Sequence, residues 1–129
     1  MRILLFLLAL SLAGPLAAQT RQLGNTTIEV NGAVTILRRH NDAGLVIYEL
    51  HTATANGQRI FEAFDSTETG QLDTFYYFDS EGRLLRQEID STGNGQIDII
   101  IYLSDGQFID RIWRDENVHN NRATPQGLS

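Results

Sequence analysis

Three observations predict an all-β fold, an antiparallel meander of four β-hairpin repeats with about eight strands. Four short glycine-containing turns recur every ~25 residues, and the flanking segments are rich in β-branched and aromatic residues. Beyond the first eighteen residues, no long stretch keeps a 3.6-residue apolar period. A repeat this short is one supersecondary unit stacked several times, so it sets the architecture before any local assignment.

Residues 1–18 stand apart from the repeats. Arg2 supplies a positive charge, Ile3 to Leu12 form an apolar run, and Gly14 to Ala18 end in small residues, the pattern of an export signal peptide cleaved after Ala18. That run is shorter than the ~20 residues a spanning helix needs, and no later segment approaches that length, so no membrane span is expected. Export of this style fits a periplasmic or secreted protein.

The repeat domain is expected over residues 19–115. Its turns are Asn31-Gly32, Asn56-Gly57, Glu81-Gly82 and Asp105-Gly106. Asn-Gly and Asp-Gly suit type I′ turns, whose central residues both take positive φ, so each turn should join two strands. The strands entering the turns are Thr27 to Val30, Leu45 to Leu50, Asp73 to Phe78 and Ile97 to Leu103. Those leaving are Ala33 to Leu37, Arg59 to Phe64, Arg83 to Ile89 and Gln107 to Trp113. Ile97, Ile99, Ile101 and Leu103 alternate onto one face, but Ile100 and Tyr102 make the other face apolar too. This predicts a curled sheet, barrel-like or sandwich-like, or a second face buried in a partner, with self-association through an edge. From Glu116 to Ser129 the chain is polar, carries Pro125 and Gly127, and reads as a disordered tail.

Composition excludes several classes of function. The chain has no cysteine, which rules out disulfides and thiolate zinc sites. Its net charge is −6 with no lysine at all; losing Arg2 with the signal leaves nine basic groups against sixteen acidic ones. That balance is unfavourable for nucleic acid or anionic lipid.

The candidate chemistry lies in two nine-residue loops, DSTETGQLD from Asp65 to Asp73 and DSTGNGQID from Asp90 to Asp98. With Asp90 as position 1, Thr92 falls at 3, Asn94 at 5, Gly95 at 6, Gln96 at 7 and Asp98 at 9. Side-chain oxygens at 1, 3 and 5, a carbonyl at 7 and glycine at 6 form the ligand spacing of a calcium loop. The earlier loop repeats it with Asp65, Thr67, Thr69, Gly70, Gln71 and Asp73. Position 12 is Ile101 or Tyr76 where a helix-loop-helix EF-hand needs a bidentate Glu, which rules that form out.

The pattern resembles the strand-flanked DxDxDGxxD calcium loops of integrin-type propellers and exported bacterial repeat proteins, over Asp65 to Trp113 only. The resemblance implies weak calcium held by Asp90, Thr92, Asn94, Gln96 and Asp98, and less strongly by Asp65, Thr67, Thr69, Gln71 and Asp73. Thr replaces Asp or Asn at position 3 in both loops and again at 5 in the first, leaving two carboxylates per site. Affinity should sit near 10⁻⁴ to 10⁻³ M or looser, on the order of the weakest calcium modules. Asp, Ser, Thr, Asn and Gly are equally the residues of a metal-free connection closed by side-chain turns. The connections Asn41 to Gly44 and Asp115 to Asn120 lack the pattern and are read as plain turns.

Nothing else in the chain suggests catalysis. His40, His51 and His119 are scattered, no serine sits in a nucleophile elbow, and no glycine-rich strand-to-helix loop is present. Arg38, Arg39, Arg83, Arg86, Arg111 and Arg114 recur on the second strands of hairpins and are expected to pair with Glu88 or Asp110 across strands, while Trp113, Tyr76, Tyr77 and Tyr102 are expected in a core or dimer surface. The sequence therefore predicts a non-enzymatic binding or structural module with calcium loops, for a protein or glycan partner. The alternative is a metal-free interaction or inhibitor module using the sheet edge or face, and an envelope hydrolase ranks third.

Overall fold

The computed structural model describes residues 18–117 and is all-β. Nine strands form one antiparallel sheet in strict sequence order: β1 (Gln19–Leu23), β2 (Thr26–Asn31), β3 (Val34–His40), β4 (Val46–Ala53), β5 (Arg59–Phe64), β6 (Thr74–Phe78), β7 (Leu84–Ile89), β8 (Ile99–Ser104) and β9 (Phe108–Arg114). The expected signal peptide, except its final Ala18, and residues 118–129 of the expected tail lie outside the described residues. No helix among the described residues is long and apolar enough to cross a membrane.

Eight of these strands match the segments expected from sequence, and β1 is the addition. It pairs with β2 through a two-residue connection, Leu23 opposite Thr26, with Gly24 at φ +58°. Gln19–Leu23 is exposed throughout and polar except for Leu23, so no apolar alternation announces it.

The turns reach their geometry by several routes, which corrects the expectation of four type I′ turns. Only Asp105 and Gly106 both take positive φ, +52° and +69°. At Asp79 to Arg83, Gly82 N donates to Asp79 O and the Asp79 side chain accepts from Glu81 N and Arg83 N. Asn41 does the same for Ala43 N and Leu45 N, with Gly44 N donating to Asn41 O. Both are three-residue loops in which an Asx side chain shapes the first bend and a glycine at positive φ closes it. The plain-turn reading of Asn41 to Gly44 agrees with this geometry.

The sheet is neither a barrel nor a sandwich. β1 and β9 remain its two edges, strand packing runs between sequence neighbours, and Ala63 is the one buried hydrophobic residue among those described. Closure would need β1 and β9 to meet, and a sandwich would need a chain reversal between layers. Short turns joining every strand to the next supply neither.

Continuous registers place alternate residues in rows on the two faces. One face carries Tyr48, Phe64 and Tyr76, packed ring to ring at centroid separations of 4.9 and 5.7 Å. The other carries His51, Phe61 and Tyr77 at 4.9 and 5.2 Å, continuing through Arg86, Tyr102 and Arg111. Arg86 lies over Tyr77 at 3.9 Å and Arg111 over Tyr102 at 4.3 Å, so ring and guanidinium alternate along this row. Arg38 bridges Glu29 and Glu49 from the strands on either side. Arg86 instead pairs with Glu88 of its own strand, so the expected pairing is intra-strand there. In a single layer, such cross-strand contacts replace a core, each contributing roughly 0.2–1 kcal/mol.

Candidate functional site

Because the meander alternates ends, both acidic loops fall at the same end of the sheet, side by side with Gly24-Asn25 and Asn41 to Gly44. Backbone bonds continue the ladder through them: Asp73 N to Phe64 O, Asp90 N to Asp73 O, Asp98 N to Ile89 O and Asp115 N to Asp98 O, all 2.8–3.0 Å. The four aspartates at positions 1 and 9 are thus carried inward at strand ends, and Asp65, Asp73, Asp90 and Asp98 are all buried.

Their carboxylates are used by the loops themselves. Asp90 Oδ1 accepts from Thr92 N and Oγ1, Gly93 N and Asn94 N, and Oδ2 accepts from Gly95 N at 2.7 Å. Asp65 accepts from Thr69 N and Thr67 Oγ1 through Oδ1, and from Gly70 N at 2.6 Å through Oδ2. At position 9, Asp73 Oδ2 accepts from Ser66 N and Oγ, and Asp98 accepts from Ser91 N and Oγ. Position 1 therefore gathers the amides of the bend, and position 9 ties the first serine back across the loop. Burial pushes the Asp65 and Asp90 carboxyls up, but their amide bonds outweigh it and hold both below the ordinary 3.8.

The remaining predicted ligands separate. Gly70 and Gly95 take φ +88° and +84°, as position 6 requires. Thr67 and Thr92 turn their hydroxyls onto the position 1 carboxylate, and Thr69 Oγ1 lies 3.4 Å from Thr67 Oγ1. Asn94 Oδ1 accepts from Gln96 N, while the Gln71 side chain leaves its own loop to lie over Gly95. Among the described residues no three His, Cys, Asp or Glu side chains cluster in a metal-binding group. A groove between the loops is lined by Thr67, Thr69, Asp73, Asp90 and Thr92.

Asp115 continues the series of ladder bonds, and residues 118–120 of the connection read as a plain turn lie outside the described residues. Its N donates to Asp98 O at 2.9 Å, as Asp90 N does to Asp73 O, and its Oδ1 accepts from Asn117 N, as Asp90 Oδ1 does from Thr92 N. The 25-residue spacing of Asp65, Asp90 and Asp115 was the available signal. The two described histidines have other duties: His40 contacts Thr27 and Gly44 O, and His51 bonds Glu49, which also takes Arg38, while His119 lies outside the described residues. Burial raises the Glu49 carboxyl, yet the His51 and Arg38 bonds leave it below its ordinary value.

No family model and no curated protein matches the chain. Among solved structures it is similar to the crystal structure of a GtfA/B complex, at 18% identity and a TM-score of 0.50. The match covers 81% of this chain but only 22% of that one. At this identity the likeness concerns the fold alone.

Proposed function

We propose that the protein is an exported, non-catalytic binding or structural module whose working surface is the sheet itself. The observation that carries this reading is the single layer: large aromatic and arginine side chains form ordered rows on both faces, with neither face covered by another element among the described residues. Ordered, two-sided apolar rows on one sheet suit a protein or glycan partner. Export rests on the sequence pattern of Arg2, the apolar run Ile3 to Leu12 and the small residues ending at Ala18.

A photo-crosslinking residue placed at Tyr76 on one face or Tyr77 on the other tests the reading in cells. A discrete adduct is expected from one face and none from a control at Glu81 in the β6–β7 turn. No adduct from either face would refute it.

A second reading, weak calcium in the loops, is favoured by the positive φ of Gly70 and Gly95 at the position where a calcium loop turns. The bonds already made by Asp65 and Asp90 support metal-free closure instead. At ~1 mM calcium and a ~1 mM dissociation constant, linkage would add only ~0.4 kcal/mol per site. A thermal scan in chelator and then in rising calcium, with magnesium as control, separates them. Metal-free closure predicts superimposable transitions, and a calcium-specific rise of several degrees would establish the ion sites.

A further inference from the structure

Asn-Gly occurs three times among the described residues, at Asn31-Gly32, Asn56-Gly57 and Asn94-Gly95, and all three pairs are exposed. An asparagine before glycine is a thermolabile amide, because no side chain shields the nitrogen that follows it. That nitrogen attacks the asparagine Cγ, ammonia leaves as a cyclic imide closes, and water reopens the imide to aspartate or isoaspartate. The reaction needs both a free carboxamide and a free glycine nitrogen. At two of the three pairs both groups are engaged. Asn56 Oδ1 accepts from Gln58 N at 3.0 Å, and Gly57 N donates to Ala53 O at 2.8 Å. Asn94 Oδ1 accepts from Gln96 N at 2.9 Å, and Gly95 N donates to Asp90 Oδ2 at 2.7 Å. At the third, neither the Asn31 carboxamide nor Gly32 N has a hydrogen-bond partner among the described residues, and a Cβ at Gly32 would meet nothing within 4 Å.

We propose that Asn31 is a site of spontaneous deamidation, and that the hydrogen bonds of the other two turns hold Asn56 and Asn94 as amides. Asn31 faces Val34 as the last pair of the β2–β3 hairpin, so opening that one pair frees the chain for ring closure. Asn56 and Asn94 must in addition release the carboxamide and the glycine nitrogen from their partners. The product at Asn31 adds a negative charge at the end of the sheet away from the acidic loops, and as isoaspartate it inserts Cβ into the main chain of the turn. At Asn94 the same change would place a third carboxylate in the loop that carries Asp90 and Asp98. The bond from Gly95 N to Asp90 therefore also preserves that loop's charge.

Peptide mapping by mass spectrometry, on protein aged in mildly alkaline buffer, tests the assignment, with isoaspartate read by enzymatic methylation. Asn31 should convert faster than Asn56 and Asn94 by about tenfold, the factor expected when two further hydrogen bonds must break before the ring closes. In urea the three rates should converge, since the chain then offers each pair the same freedom. Asp90→Ala, which removes the acceptor of Gly95 N, should speed conversion at Asn94 and leave the rate at Asn31 unchanged. Equal rates in the folded protein overturn the proposal. So does an Asn31 still intact after the time in which the urea-unfolded chain has converted, and so does an Asn94 rate indifferent to Asp90→Ala.

Discussion

At the residue scale, the aspartates of the loops act as acceptors that gather backbone amides. Asp90 takes the amides of four successive residues, Thr92 to Gly95, the last at 2.7 Å, so replacing it strands several donors at a buried position. Asp90→Ala should cost about 1–3 kcal/mol by urea denaturation, with no dependence on chelator if the loop closes without metal. The pH dependence follows from the depressed carboxyls of Asp65 and Asp90, joined by Asp79, whose carboxylate accepts from Arg83 and Glu81 amides, and by Glu49. A group with a lowered folded pKa contributes stability that is complete above its ordinary range and lost as pH falls through the folded value. Stability should therefore be level near neutrality and fall in acid below the ordinary carboxyl values of 3.8 and 4.5. Asp90→Asn should flatten part of that fall, and an unchanged acid limb would contradict the assignment.

At the element scale, turn glycines lock one repeat onto the next. Leu45, Gln58, Gln71 and Arg83 each follow a glycine at positive φ, and each lies against the corresponding glycine one repeat later: Gly70, Gly82, Gly95 and Gly106. A Cβ at Gly106 would meet Arg83 Cβ at 3.2 Å and Leu84 N at 3.4 Å, whereas at Gly24 it would meet nothing within 4 Å. Gly24→Ala should thus show only the positive-φ strain, about 1–2 kcal/mol, and Gly106→Ala a larger loss in melting experiments. Equal effects would deny the inter-repeat contact. Eight strands were legible because their residues obey local rules, β-branched and aromatic runs between glycine turns. β1 was not, because Gln19–Leu23 is held by pairing to β2 rather than by its own pattern, and only Gly24-Asn25 hinted at a turn. The acidic loops were legible as a repeated unit. Their aspartates' use as amide acceptors was not, since the same spacing serves a cation or a closed turn until the directions of the hydrogen bonds are known.

At the scale of the whole molecule, the sheet has almost no interior, and its stability is distributed among neighbouring strands. Its apolar rows on both sides argued for closure, yet a meander of short turns leaves successive strands nowhere to go but sideways. The covering of Gly70, Gly82, Gly95 and Gly106 by the previous repeat runs in one direction only, from the N-terminal side of the sheet toward β9. Such a one-way joint makes each 25-residue segment interchangeable with its neighbour: the segment from Ser66 to Asp90 begins and ends at equivalent points of the two loops. Gene-level duplication or loss of such a segment would lengthen or shorten the ribbon by two strands while leaving the joint chemistry intact, so the width of the protein is a quantity evolution can change in whole steps.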